Sequence, residues 1–140
     1  MPSFIIKTHQ PKTSYKGNQI FILNKGMNSG KPQKEPFTNS FVINFANPED
    51  AETIYWLAYS LWKAHFWHTS LCGSVIPFLR IKEFKKEFIS KVAEVLQEHE
   101  LHKTQVQALR LLELQESQFQ KNILLINEMR RAILQRYCKK

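Results

Sequence analysis

The sequence has only two cysteines, Cys72 and Cys138, and they lie far apart. They form no CxxC pair, so neither a disulfide framework nor a zinc or redox motif is built from them. One core thiol and one surface thiol account for both. Long apolar runs are missing too. The longest, from Ile54 to Trp67, is interrupted by Ser60, Lys63 and His65, which makes it too short and too polar to span a bilayer. Phe4-Ile5-Ile6 is too short for the apolar centre of a secretory signal, and Lys7, His9 and Pro11 follow at once. The expectation is a cytoplasmic protein with no membrane partner. There is no internal repeat and no low-complexity tract. Catalytic signatures are absent: no GxSxG, no Cys/His arrangement in a supporting context, and no carboxylate cluster beyond one helix start. His65 and His68 lie three apart, as do His99 and His102, but zinc needs three or four ligands. These histidines read as polar helix-end residues. No enzyme, cofactor or metal is expected.

What is present is an ordinary globular composition. The 140 residues are 43% apolar and 23% charged, enough for one domain with a core that needs no staples. The formal net charge is +8 and it is zoned. Residues 1–36 carry six lysines against Glu35, and residues 80–91 carry Arg80, Lys82, Lys85, Lys86 and Lys91 against Glu83 and Glu87. Residues 92–128 are acidic, while the last twelve residues carry five cations and no acid. Basic zones of this kind attract polyanions.

The elements follow from pattern. Residues 7–18 read as an irregular lead-in. Gln19 to Leu23 is a short apolar run that predicts a buried strand. The loop from Asn24 to Pro36 holds glycines, asparagines and prolines that break any regular element. Ser40 to Phe45 predicts a second strand. Asn47-Pro48-Glu49-Asp50 is a helix start: a capping side chain, a proline suited to the first position, and acids at the positive end of the dipole. That helix is expected to run to about His65, with Ile54, Leu57, Leu61 and Ala64 on one face. His65 to Ser70 is a connection. Gly73 to Leu79 reads as an edge strand or an extended loop because of Pro77. From Ile81 the pattern is helical, with Ile81, Phe84, Phe88, Val92 and Val95 on one face. Glu98 to His102 interrupts the stripe and predicts a kink or a turn. The last helix is expected over about 103–137, with a seam that includes Leu112, Phe119, Ile123, Ile126 and Ile133. Flanking leucines make this apolar surface wider than a two-stranded zipper needs, so the helix must pack on something.

Three features invite a chemical reading. The loop Gly26-Met-Asn-Ser-Gly30-Lys31-Pro32 is one residue short of the phosphate-loop spacing, and Pro32 stands where a magnesium-binding hydroxyl belongs. It is read first as a solvated, flexible loop, with phosphate contact by its lysines as the alternative. Tyr55, Trp56, Tyr59 and Trp62 share one helix; aromatics beside a basic groove bind single-stranded nucleic acid by stacking, but at helical spacing they are first of all core. The basic tail Arg130-Arg131, Arg136, Lys139-Lys140 complements a helix C-terminus without any ligand.

The order of these pieces resembles a known arrangement. A Gly/Lys loop leads into Ser40-Phe-Val-Ile-Asn-Phe45, then a helix containing Tyr55-Trp-Leu57, then Gly73-Ser-Val-Ile-Pro-Phe-Leu-Arg-Ile81 and a long helix. Over about residues 24–137 this looks like the last part of a target-recognition domain, with its following conserved helix, from the specificity subunits of type I restriction–modification enzymes. The whole chain also resembles an uncharacterised family of short bacterial proteins sharing the Asn-Lys-Gly-x-Asn-Ser-Gly-Lys-Pro and Gly-Ser-Val-Ile-Pro-Phe blocks. The first resemblance implies DNA reading by the globule and spacing or docking by the helix. Specificity subunits combine two recognition domains and two helices, so a homodimer through the helix would imitate the pair.

The sequence therefore predicts an α+β fold: a small N-terminal sheet with a packed helix, then long C-terminal helices, coiled-coil-like or folded as an antiparallel hairpin. The expected division is an N-terminal globule over 1–80 and a helical region over 81–140, with a single compact unit as the alternative. The expected function is a non-enzymatic DNA-binding or restriction-associated protein. Lys25, Lys31, Lys34, Arg80, Lys82, Lys85 and Lys86 would contact phosphates. The alternative is a protein-interaction module that uses Leu112, Phe119, Ile123, Ile126 and Ile133 and binds no nucleic acid.

Overall fold

The computed structural model of the protein describes residues 3–139. Four strands, β1 (Phe4–Thr8), β2 (Asn18–Leu23), β3 (Pro32–Gln33) and β4 (Ser40–Phe45), form an antiparallel sheet in the order β1-β4-β2-β3. The central pair holds the apolar sequences. β4 aligns Phe41, Ile43 and Phe45 with Ile22, Ile20 and Asn18 of β2 on one side, and with Thr8, Ile6 and Phe4 of β1 on the other. Because strand side chains alternate, those residues share one face. The opposite face carries Val42 and Phe21, which are also buried. The segment after β1 explains this. His9 and Tyr15 hydrogen-bond to each other at 2.9 Å, and both rings meet Phe21 edge-on, at centroid distances of 5.3 and 6.0 Å.

The first face is closed by two helices, α1 (Pro48–Lys63) over β2, β3 and β4, and α2 (Ile81–Gln97) over β1. α1 starts as its sequence demands: the Asn47 side-chain oxygen accepts the Glu49 N–H at 2.9 Å, with Pro48 next in line. Ile54, Leu57, Ala58 and Leu61 face the sheet. From α2 come Phe84, Phe88 and Val92, all essentially inaccessible. Phe84 packs on Phe41, Phe88 and Trp67 at centroid distances of 5.0–5.1 Å. Each such ring contributes roughly 1.5–3 kcal/mol by leaving water, so α2 belongs to the core of the globule.

A short 3-10 turn, Phe66–Ser70, follows α1 and seats Trp67 in the core. α1 stops where His65 takes left-handed geometry (φ 59°). After α2, Glu98 leaves helical geometry (φ −118°, ψ 46°), and α3 (His99–Leu134) begins at once, ending in a 3-10 turn over Gln135–Cys138. The chain divides into two compact units, one up to His99 and one from Glu100. No helix among the described residues is long and apolar enough to cross a membrane.

Several expectations need correction. The lead-in expected from residue 7 begins inside β1: a five-residue edge strand with Ile5, Lys7 and Thr8 exposed leaves too thin an apolar pattern to read. The loop expected to contain no regular element holds β3, where Pro32 pairs with Ile22; proline is tolerated at such an edge because the ladder does not need its missing N–H. The break expected over 98–102 narrows to Glu98, because Glu, Leu and His are compatible with a helix; a gap in an apolar stripe does not interrupt the backbone. α3 accordingly starts before residue 103 and its regular turns end before 137.

Candidate functional site

The Gly/Lys loop and the Gly-Ser-Val-Ile-Pro segment, far apart in sequence, are bonded to each other. The Gly26 N–H donates to the Pro77 carbonyl at 2.6 Å, and the Leu79 N–H donates to Asn24 at 2.8 Å. Lys25 and Phe78 form an antiparallel bridge, as do Cys72 and Phe78. Three further amides of the loop turn inward: Ser29 N–H to Gly26, Gly30 N–H to Leu23, and Lys31 N–H to Asn28. A phosphate-cradling loop needs such amides pointing at the ligand; here the fold consumes them. Gly30 has a different reason to be glycine. It lies at φ +99°, and a Cβ there would fall 2.1 Å from Cδ1 of the buried Trp67 indole.

The expected phosphate contacts separate into three groups. Lys25 and Arg80 meet around Phe78, Lys25 through the bridge and Arg80 with its guanidinium 5.9 Å from the ring centroid. Lys82, Lys85 and Lys86 are exposed on α2, turned away from the buried Phe84 and Phe88. Lys31 and Lys34, which flank β3, lean instead on α1. Lys31 Nζ stands 5.2 Å from the Trp62 ring, and Lys34 Nζ stands 5.1 Å from Tyr55 and 3.6 Å from the Glu52 carboxylate.

Those rings belong to a ladder. Tyr55, Trp56, Tyr59 and Trp62 contact one another edge-to-face at 5.2–5.9 Å along one flank of α1. Only Tyr59 is buried; the other three are half-buried. Trp56 donates its indole N–H to Glu52 at 3.0 Å, and Lys63 lies over both Tyr59 and Trp62. Beside Tyr55 opens a cleft of about 380 Å³, lined in part by Asn18, Gln19, Lys34 and Glu52. The sequence shows the rings and the loop lysines separately. Their meeting depends on β3 lying at the sheet edge under α1, which no local pattern encodes; Lys63 and Glu52 carried no signal of their own.

Leu112, Phe119, Ile123, Ile126 and Ile133 are each more than half exposed. Among the described residues, no group of three His, Cys, Asp or Glu side chains is placed to hold a metal. The His65 and His68 rings stack at 4.6 Å. Of the basic tail, Lys140 lies outside the described residues.

Residues 6–136 match the family of unknown function DUF6943. The chain belongs to that family. No curated protein and no solved structure matches it.

Proposed function

We propose that this member of DUF6943 is a non-enzymatic assembly protein whose α3 pairs with α3 of a second copy. The supporting observation is the apolar surface of that helix. From Leu111 to Leu134, eleven large apolar side chains are more than half exposed. A two-stranded seam takes two positions per heptad, about seven over that length, so the surface supplies the seam and its flanks. The 36-residue helix is about 54 Å long, long enough for a standard interface of roughly 1,600 Å². Charge supports a coiled-coil-like antiparallel pairing. Glu113 and Glu116 stand near the start of the exposed apolar stretch of α3 and Arg130 and Arg131 near its end, so opposed helices bring unlike ends together. Sedimentation equilibrium of the full chain tests the reading. A mass that rises above the monomer in the micromolar range supports it, and a monomer at about 100 µM refutes it.

A second reading concerns the globule. Lys25 and Arg80 around Phe78, with Lys82, Lys85 and Lys86 on α2 and Lys31 and Lys34 beside β3, would contact a DNA backbone. Such contacts give affinity without sequence choice. The bonded pair of loops and the resemblance to a restriction target-recognition domain favour it. Anisotropy of a labelled random duplex at about 50 and 200 mM salt is the test: six neutralised phosphates make affinity fall about a thousandfold between the two. No binding at the lower salt refutes this reading.

A further inference from the structure

We infer that the aromatic flank of α1, with Lys31, Lys34 and Lys63, is a stacking site for single-stranded nucleic acid. The inference rests on the nucleic-acid reading of the globule and names the form of nucleic acid that it takes. Two chemistries meet on one surface. Trp56, Trp62 and Tyr55 are half-buried rings held edge-to-face, so their positions are fixed before any ligand arrives. The lysines over Tyr55, Tyr59 and Trp62 come from two elements, Lys31 and Lys34 from the β3 edge and Lys63 from the end of α1. Bases supply π-faces for the rings, and the backbone supplies phosphates for the amines.

Magnitudes decide which partner wins. An exposed lysine–ring contact is worth a factor of about 2 to 5 in an equilibrium constant, whereas a base stacked on an aromatic ring is worth about 5 to 150. A base therefore displaces the lysine from the ring, and the freed ammonium turns to the adjacent phosphate without crossing the surface. Duplex DNA hides its bases in the stack and cannot make this exchange. The cleft beside Tyr55, at about 380 Å³, lies in the size range of small-ligand pockets and receives a base at the end of the ladder. Glu52 sits at that end, paired with Lys34 at 3.6 Å, so the phosphate contacts concentrate at the Trp62 end under Lys31 and Lys63.

The test uses the full chain and two fluorescein-labelled probes, an oligothymidine of about 20 nucleotides and a blunt duplex of equal length. Intrinsic tryptophan fluorescence is followed in the same titrations. The expected result is tighter binding of the single strand, with quenching. Trp62→Leu should weaken it about tenfold while duplex affinity stays unchanged, and Lys31→Gln with Lys63→Gln should weaken it without touching the core. Equal affinity for both probes, unaffected by Trp62→Leu, overturns the inference and leaves the duplex reading standing. Binding of neither probe at low salt overturns both. Should Trp62→Leu fail to fold, quenching in the unsubstituted chain and its preference between the two probes decide.

Discussion

Replacing Ile123 and Ile126 together by glutamine should dismantle the pairing of α3 without disturbing the globule. The two side chains are 58% and 52% exposed, so about half of each remains to be buried by a partner. Full burial of an isoleucine contributes about 1.5–3 kcal/mol, which leaves about 0.8–1.5 kcal/mol per side chain for the interface. In a two-fold pair every residue counts twice, so the double substitution removes about 3–6 kcal/mol of association energy. At 1.4 kcal/mol per factor of ten, the dissociation constant should rise by about 10² to 10⁴. Glutamine keeps the helix, since its intrinsic propensity is at least that of isoleucine. Sedimentation equilibrium on both proteins reads the constant, and circular dichroism checks that helix content at a common low concentration is unchanged. An association constant unaffected by the double substitution would refute the seam assignment, because no other reading makes these two side chains indifferent to the pairing surface.

The globule offers three further tests. Gly30→Ala forces a Cβ into the Trp67 indole at a positive φ and should destabilise by about 2–4 kcal/mol. A shift of the urea midpoint measures it, and an unchanged midpoint would mean that the loop does not pack on Trp67. Asn47→Ala removes the α1 cap and should cost about 1 kcal/mol, read as a lower melting temperature with the fold retained. Glu52→Gln keeps an acceptor for the Trp56 indole but removes the carboxylate paired with Lys34. It should tighten oligothymidine binding by a factor of up to about 5, and a weaker complex would place the backbone elsewhere.

Legibility in the sequence followed the distance over which each feature is determined. β4 and α1 were readable because the causes are local: a run of β-favouring residues over Ser40–Phe45, and a cap, a proline and two acids at residues 47–50. The apolar surface of α3 was readable for the same reason, since a 3-4 stripe is a property of the helix alone. β1 was not, because Phe4–Thr8 exists only by pairing with β4, thirty-odd residues away. The candidate site divides along the same line. Cations and rings could be named from the sequence, but the sorting of Lys31 and Lys34 onto α1, apart from Lys25 and Arg80 around Phe78, is a product of sheet order. The glycines of the loop were also misleading in isolation. Gly30 serves Trp67, a residue of the core, and the amides around it serve the loop itself.

The two proposed surfaces would reinforce each other through valency. One globule offers a strand three half-buried rings and three lysines, a modest site by the standards of proteins that hold single strands through whole domains. Pairing through α3 would present that site twice on one assembly. The second site then binds at the effective concentration set by the span between the two, and avidity exceeds single-site affinity by about 10² to 10⁴ wherever the strand is long enough to reach both. This makes the exposed seam and the aromatic flank two halves of one proposal. The double Ile→Gln variant should bind a short oligonucleotide as the unsubstituted chain does and lose only the advantage for a long one. A long-strand advantage that survives loss of pairing would mean that the globule alone holds the whole strand.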